Sequence, residues 1–263
     1  MQAMKGMFAI FAVLISVQVI ACDKPVHATY GPFFSVSFYQ EFLSDFHSNI
    51  EELTGCKVVM KIEPTHKKFI LALVQGDVHM SFVPEFYYAA LRPYGLWAVI
   101  ESKTEFRNIL IVNRGERDNF DVNQLSGKTI LVSGTYSRGY IMLNEWLKET
   151  GLAQKVLIDA GHRHDVIAMM LAKKKGSAGV ISTAIFDRLP DNLKDNYTVL
   201  KKSQPLKSLL LVSEQAPNGA RAAVEGSLLN MNFGEWGAVT NNRLYPHRIE
   251  YFKRQLKALV NSQ

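Results

Sequence analysis

The sequence predicts an α/β protein in which strands and helices alternate along most of the chain. Short apolar runs such as 106–112 and 208–212 have the length and composition of buried strands. Between such runs, apolar residues recur at helical spacing, as in the series Phe38, Phe42 and Phe46. This alternation predicts mostly parallel sheets covered by helices.

Glycine and proline residues mark where the predicted helices and strands begin or end in the first half of the chain. Gly31 and Pro32 end the first strand, Gly55 and Gly76 end the first two helices, and Pro84 suits the first turn of the third helix. The predicted strands here are 26–30, 57–62, 78–83 and 106–112, and the predicted helices are 38–53, 66–74 and 84–91.

The second half continues the alternation and ends in helix. Lys173–Lys175 before Gly176 place cations at a helix C-terminus, where they complement the helix dipole. The tail carries an amphipathic pattern. The predicted strands here are 128–132, 155–159, 177–181 and 208–212, and the predicted helices are 140–150, 165–174, 185–189 and 248–260.

Six turns follow predicted strands, and most are rich in hydroxyl, aromatic or imidazole side chains. In open α/β sheets, ligands bind beyond the carboxyl ends of the strands. We therefore expect the ligand site among these turns, which are 31–35, 64–66, 84–88, 133–139, 161–165 and 182–183.

The turn Ser133-Gly134-Thr135-Tyr136-Ser137-Arg138-Gly139 is the strongest candidate for anion binding. The first N–H groups of a helix lack intrahelical partners and favour anions. The hydroxyls add donors, and the two glycines allow close backbone approach. A purely structural interpretation also fits, in which Ser137 caps the following helix.

The N-terminus resembles a secretory signal. Lys5 is followed by the uncharged, mostly apolar stretch 6–22. Val19-Ile20-Ala21-Cys22 resembles a bacterial lipobox, which implies removal of 1–21 and lipidation of Cys22, and Asp23 resembles an inner-membrane retention signal. The alternative is an ordinary signal peptide cut elsewhere. We expect a protein anchored by lipid at the periplasmic face, of the inner rather than the outer membrane.

The cysteine count and the charge narrow the partners. The chain has two cysteines, so lipidation of Cys22 would leave Cys56 as a buried, unpaired thiol. The formal net charge is +6, with basic residues dispersed along the sequence. An exported protein of this kind suits an anionic membrane face or anionic solutes, and we expect no nucleic-acid partner.

Six segments in order resemble the type 2 periplasmic binding proteins, in particular their phosphate-, phosphite- and phosphonate-binding branch, the receptors of ABC transporters. The resemblance runs from about residue 29 to about residue 211. The segments are 31–34, 71–78, 82–89, 125–130, 133–139 and 161–165. The fourth reads Leu-Ser-Gly-Lys-Thr-Ile, and the last reads Gly-His-Arg-His-Asp.

The resemblance implies two lobes joined by two crossing hinge strands, at 109–113 and 209–213. Lobe one would hold 23–109 and 213–263, and lobe two 110–212. A ligand between the lobes would close the hinge and be shielded from water. A small anionic solute, an ABC permease and a monomeric receptor without a cofactor or metal are implied as well.

The resemblance also assigns ligand-binding roles. Thr135, Ser137 and Gly139 would donate to an anion, and Tyr136 or Tyr140 would stack or donate. The family's Ser-Thr-Ser-Gly loop is here Tyr136-Ser137-Arg138-Gly139, in which Arg138 either favours an oxyanion or faces solvent. The remaining contacts are Phe34, Glu85, Tyr88, His164, Asp165 and Thr183. Glu85 would pair with a ligand amine, or serve only as a first-turn acid of its helix.

Two other functions compete with transport. The same fold serves as the ligand-sensing partner of a membrane sensor protein, and the sequence does not separate the two. His162 and His164 superficially resemble a metal pair of hydrolases, but a catalytic zinc needs about three protein ligands. The other histidines show no ligand spacing, and no nucleophile elbow or phosphate-cradling loop is present. We therefore expect a binding protein and not an enzyme.

Overall fold

A computed structural model describes residues 24–76, 78–103, 105–113, 120–217, 219–222, 224, 236–238 and 246–262. Its elements up to the first connection between sheets are β1 (Val26–Tyr30), α1 (Val36–Thr54), β2 (Val58–Ile62), α2 (His66–Gln75), β3 (Met80–Pro84), α3 (Glu85–Leu91) and β4 (Leu96–Ser102). Then come β5 (Asn108–Asn113), β6 (Thr129–Val132), α4 (Arg138–Glu149), β7 (Leu157–Ala160), α5 (His164–Ala172), β8 (Ala178–Ser182), α6 (Thr183–Phe186), α7 (Asp191–Lys194) and β9 (Tyr197–Lys202). The last are β10 (Ser208–Ser213), β11 (Trp236–Ala238) and α8 (Pro246–Asn261).

The described strands form two sheets, one in each lobe. The first is six-stranded in the order β11-β4-β10-β3-β1-β2, and the second is five-stranded in the order β7-β6-β8-β5-β9. Both sheets are mixed. β1 pairs in parallel with β2 and β3, and β6 with β7 and β8. β10 and β5 run antiparallel to their neighbours.

The predicted α/β class with two lobes is confirmed, whereas the prediction of mostly parallel sheets is wrong. The antiparallel ladders involve strands next to the connections between lobes. β5 and β10 each enter their sheet from the other lobe, so they lack the crossover helix that a parallel pairing with the preceding strand of the same sheet would need. The strands β4, β9 and β11 were not predicted.

The chain changes sheets twice, between β4 and β5 and between β9 and β10. Phe106 and Leu206 pair in these connections through two backbone hydrogen bonds of 2.9 and 2.8 Å. β5 lies wholly in the second sheet and β10 wholly in the first. Both crossings therefore precede the predicted positions 109–113 and 209–213, and 208–212 belong to lobe one. The apolar runs that were predicted as crossings form the buried strands β5 and β10. Hydrogen bonds between the two connections stabilise the actual crossings. The Arg107 guanidinium donates to the Ser203 carbonyl over 2.9 Å.

Helices cover both faces of each sheet. In the first lobe, α1 packs on one face, and α2, α3 and α8 enclose a core on the other. There the rings of Tyr87 and Phe252 stack with centroids 4.3 Å apart, which fixes the C-terminal helix to lobe one. In the second lobe, α4 and α5 bury apolar faces such as those of Leu143 and Ile167.

The six turns follow strands as predicted. They come directly after β1, β2, β3, β6, β7 and β8. Glycines terminate the helices that precede β2 and β3, since Gly55 and Gly76 adopt the left-handed conformation with φ of 68° and 86°. The alternation of strand and helix thus places the polar turns at the carboxyl ends of these strands.

Cys56 is buried and disulfide-bonded, so the prediction of an unpaired thiol is wrong. The chain's other cysteine is Cys22, which lies outside the described residues together with the predicted signal peptide 1–21. Within the described part of the chain, no helix combines the length and the apolar character needed to cross a bilayer.

Candidate ligand-binding site

A cleft of about 280 Å³ lies between the two lobes. The first lobe contributes the turn after β1, the start of α1, and parts of β3 and α3. The second lobe contributes the starts of α4, α5 and α6. Phe106 and Leu206, which pair in the two connections, also line it. The cleft is therefore built where both sheets present their strand ends and where the lobes hinge.

Helix N-termini meet at this cleft. The Ser137 hydroxyl accepts a hydrogen bond from the Tyr140 N–H over 3.1 Å and caps α4, as the structural interpretation of its sequence predicts. Ser137 also lines the cleft, as do His164 and His66 at the starts of α5 and α2. Helix N-termini carry partial positive charge and unpaired N–H donors, so their convergence favours an anion.

Arg138 places a buried cation at the same point. Its side chain is only 4% exposed, and its guanidinium donates to the Gln204 carbonyl over 3.1 Å. Burial raises the pKa of the nearby Glu85 carboxyl, and the positive charge of Arg138 partly opposes that rise. Glu85 does not line the cleft itself. Arg138 thus lines the cleft, whereas the carboxylate that interacts with it does not.

Two buried histidines add neutral polar groups. Burial lowers the pKa of His66 to about 3, helped by the neighbouring His164 and opposed by a hydrogen bond to the Ser133 backbone. Burial lowers the pKa of His164 to about 4, with a hydrogen bond to the Val180 backbone opposing it. One ring nitrogen of each, His66 Nε2 and His164 Nδ1, has no hydrogen-bond partner among the described residues. Both nitrogens are therefore available to a ligand.

Aromatic side chains form the wall supplied by the first lobe. The Phe34 and Phe38 rings lie 4.4 Å apart between centroids, and both line the cleft. The Arg188 guanidinium of the second lobe sits 4.6 Å from the centroid of the Phe38 ring. This cation–π contact joins the two lobes at the cleft.

Other contacts show that the lobes are closed. The Tyr87 hydroxyl donates to the Tyr136 carbonyl over 2.8 Å, from α3 to the loop before α4. Gly134 packs so close to His66 that a Cβ there would lie 2.8 Å from Nδ1 of that ring. Only a residue without a side chain allows this approach, which accounts for a glycine in the turn after β6.

The structure distributes the predicted site residues over three places. Phe34, Ser137, Arg138 and His164 line the cleft. Thr135 and Tyr136 line a second hollow of about 360 Å³, beside the turns that follow β2 and β7. The predicted residues that line neither are Glu85, Tyr88, Gly139, Asp165 and Thr183. Direct ligand contact by any of the predicted residues stays a prediction.

Most residues of that last group have visible structural roles. Gly139 packs against Val180, where a Cβ would approach to 2.7 Å. Asp165 pairs with Arg163 over 2.9 Å at the surface. The Thr183 hydroxyl accepts a hydrogen bond from the Arg107 N–H over 3.0 Å. Tyr88 is buried in the core of lobe one.

Several cleft residues were not singled out from the sequence. Phe33, His66 and Ser182 lie in turns that the sequence did predict, so strand-end position alone was their signal. Phe38 follows helical spacing, which assigned it to the core. For Asn108 and Arg188 the sequence carries no local signal, because their place in the cleft depends on how the lobes close.

The described residues contain no group of three or more histidine, cysteine, aspartate or glutamate side chains arranged to hold a metal ion. His162 contacts Asp159 instead, with Nε2 3.0 Å from Oδ1.

A pair of α/β lobes linked by two antiparallel connections, with an anion-favouring cleft between them, defines the class of periplasmic solute receptors with the type 2 fold. The family model described as "ABC transporter, phosphonate, periplasmic substrate-binding protein" matches residues 29–252. The chain belongs to this family, whose members are substrate-binding components of transporters in the cell envelope and not enzymes.

Solved structures of this family share the fold at low identity. PhnD1 from Prochlorococcus marinus in complex with methylphosphonate gives a TM-score of 0.73 at 13% identity, covering 89% of this chain and 98% of that one. A binding protein component of an ABC phosphonate transporter from Pseudomonas aeruginosa gives 0.68 at 15%, covering 91% and 96%.

A more distant neighbour is the alkanesulfonate-binding protein SsuA from Xanthomonas axonopodis pv. citri, bound to MOPS. It gives a TM-score of 0.53 at 16% identity, covering 92% of both chains. The comparison with curated proteins gives no match.

Proposed function

We propose that this protein captures a small anionic ligand with a phosphonate or related oxyanion group between its lobes and delivers it to an ABC permease. The observation that carries the proposal is the sign of the charged side chains that line the cleft. Arg138, Arg188 and the start of α4 face it, and no aspartate or glutamate occurs among the described residues that line it. A buried cation without an acid in the same lining favours an anionic ligand.

The oxyanion group fits the donors at the starts of the helices. The N-terminus of α4 offers backbone N–H groups beside the Ser137 hydroxyl and the Arg138 guanidinium, which together suit several oxygens on one centre. Similar folds bind methylphosphonate and, in an alkanesulfonate-binding protein, MOPS. Phosphonates and sulfonates share a tetrahedral oxyanion, which supports this ligand class.

The test is a ligand screen on the purified protein by thermal shift and calorimetry. Phosphate, phosphite, methylphosphonate, small sulfonates and carboxylates are compared. A ligand at a hundred times its dissociation constant stabilises the folded state by about 2.7 kcal/mol. If none of these anions raises the melting temperature or gives a calorimetric signal, the proposal fails.

Ser137 allows a sharper test. Ser137→Ala removes one hydroxyl from the closed cleft, and we expect a loss of about 1–3 kcal/mol in binding free energy. Ser35→Ala is the matched control, because Ser35 caps α1 through the Phe38 N–H but does not line the cleft. Both variants lose about 1 kcal/mol of stability as caps. If Ser137 acts only as a cap, both leave affinity unchanged.

We also propose that the receptor acts as a monomer held at the periplasmic face of the inner membrane by lipid on Cys22. The lipobox pattern supports this anchor. The disulfide at Cys56 argues against this anchor. Cys22 is the only other cysteine of the chain, and an intramolecular disulfide would use the thiol that lipidation needs. The intact mass of the exported protein distinguishes acylation of Cys22 from a disulfide.

A further inference from the structure

The cleft is far more apolar than an oxyanion alone requires. Six phenylalanines line it, and five of them are only partly buried and so present ring surface to a ligand. The five are Phe33, Phe34, Phe38, Phe82 and Phe106. An oxyanion gains nothing from such walls, because phenyl rings offer no hydrogen bonds to replace lost water. The phenylalanines therefore indicate a second, apolar part of the ligand.

The polar groups come chiefly from the other lobe. Ser137, Arg138 and His164 belong to the second lobe, while four of the five phenylalanines belong to the first. A ligand that contacts both sets must itself have a charged end and an apolar end. Closure of the lobes then buries both ends at once, which couples recognition of the apolar group to the closed state.

The size of the cleft limits the apolar group. An apolar cavity of about 150 Å³ is enough to hold benzene. The present cleft, at about 280 Å³, has room for one ring and a tetrahedral or planar oxyanion beside it. It lies just under the range of about 300–1,000 Å³ that is usual for drug-sized ligands, so a much larger molecule does not fit the closed form.

The lining also disfavours a ligand amine. Glu85, which the sequence suggested as an amine partner, lies outside the lining and near Arg138. Among the described residues that line the cleft, the charged side chains are the two arginines. An ammonium group on the ligand would meet two positively charged side chains in the lining, and the described lining itself offers no carboxylate to pair with it.

We propose that the physiological ligand is an organic anion carrying a flat apolar or aromatic substituent, held with its oxyanion at Ser137 and Arg138 and its substituent against Phe34 and Phe38. This inference rests on the proposed function and names its ligand class. Arg188, stacked over Phe38 from the opposite lobe, covers the aromatic wall in the closed form.

The experiment is calorimetry with matched ligand pairs on the purified exported protein. The pairs are methylphosphonate with phenylphosphonate, and acetate with benzoate, and 2-aminoethylphosphonate is a further ligand. Burial of a phenyl group predicts that the aromatic member of a pair binds at least about tenfold more tightly. We expect 2-aminoethylphosphonate to bind more weakly than methylphosphonate.

Two variants in the first turn of α1 test whether the preference for a phenyl group comes from the aromatic wall. Phe38→Ala should reduce the phenyl-over-methyl affinity ratio to about threefold or less, since the ring that contacts both Phe34 and Arg188 is removed. Val36→Ala is the control, because Val36 is 53% exposed and does not line the cleft. The ligand series itself needs no variant, so the test survives a failure of Phe38→Ala to fold.

The outcomes separate the inference from the proposed function. Equal affinities within each pair, or tighter binding of the methyl compounds, overturn the inference while anion capture stands. An unchanged ratio in Phe38→Ala overturns the assignment to this wall. If no ligand of either pair binds, the proposed function fails and the inference falls with it.

Discussion

The Tyr87 hydroxyl donates a hydrogen bond of 2.8 Å to the backbone carbonyl of Tyr136, and this bond joins the two lobes. Tyr87 is fully buried, with its ring stacked on Phe252 in the core of lobe one. Tyr136 lies in the loop that leads into α4. The rigid core of one lobe thus holds the loop that presents Ser137 and Arg138 to the cleft, and the bond requires the closed arrangement.

Tyr87→Phe should therefore weaken ligand binding. Removal of one buried hydroxyl costs about 1 kcal/mol of closed-state stability, which corresponds to an affinity loss of roughly fivefold. Tyr197→Phe is the control, because that hydroxyl donates to the Ala168 carbonyl over 2.6 Å within lobe two. It should lower stability without changing affinity. Calorimetry on both variants checks this, and equal affinity in Tyr87→Phe and wild type would contradict it.

Arg138→Met should lower affinity for an anion by about 10- to 100-fold, since hydrogen bonds to charged groups contribute about 1.5–3 kcal/mol. The pKa of Glu85 should rise further, because Arg138 is a positive charge that lowers it. Arg163→Met is the matched control, as Arg163 makes only an exposed ion pair with Asp165. Competition binding at fixed salt measures both. Similar losses in the two variants would argue against a specific role for Arg138.

Much of the fold was predictable because local signals and tertiary structure agree. Gly55 and Gly76 end helices in the left-handed conformation that their position requires, and Ser137 caps α4. β4 and β9 escaped prediction. Each pairs with a strand that follows a crossing between the lobes, so its register depends on a partner far away in the sequence. Local pattern does not encode such pairing.

The site was predictable as a set of turns but not as a set of contacts. Strand-end position selected the segments around Phe34, Ser137 and His164, which line the cleft. It did not distinguish Thr135, which lines the second hollow, from Ser137, which lines the cleft. Arg188 enters the site only through lobe closure. The direction of each side chain and the hinge position depend on packing between lobes, which one sequence does not reveal.

Buried histidines should make the fold sensitive to acid. His47, His66 and His164 have pKa values lowered by burial to about 4, 3 and 4. The unfolded chain binds protons below about pH 6.5, while the folded protein keeps these rings neutral to about pH 4. Stability should therefore be fully present above pH 6.5 and fall as the pH drops towards 4. The loss per histidine reaches about 1.4 kcal/mol per pH unit.

His47→Gln isolates this effect from ligand binding. His47 lies in α1, bonded to the Tyr30 hydroxyl over 2.8 Å, and does not line the cleft. The variant should show a shallower loss of stability between pH 6.5 and 4, with ligand affinity unchanged at pH 7.5. His66→Gln should change both, since His66 lines the cleft. Denaturant titrations at several pH values measure the slopes, and a wild-type slope in His47→Gln would contradict the assignment.

The disulfide at Cys56 leads to a prediction about the mature N-terminus. Cys56 is disulfide-bonded, and the chain's only other cysteine is Cys22. An intramolecular bond would therefore join Cys22 to Cys56. Such a bond suits the oxidising periplasm. In the chain-entropy account, closing a loop of this length stabilises the fold by about 3–4 kcal/mol.

If Cys22 is the partner of Cys56, a reductant should lower the free energy of unfolding of the exported protein by about 3–4 kcal/mol. If Cys22 is acylated, as the proposed lipid anchor requires, the reductant should have no such effect. The reductant should have no effect on Cys56→Ala, which serves as the control because it lacks the bond in either condition. Intact mass before and after reduction and alkylation reports both thiols directly. An acylated Cys22, together with stability that does not respond to reductant, would exclude the intramolecular disulfide and support the lipid anchor instead.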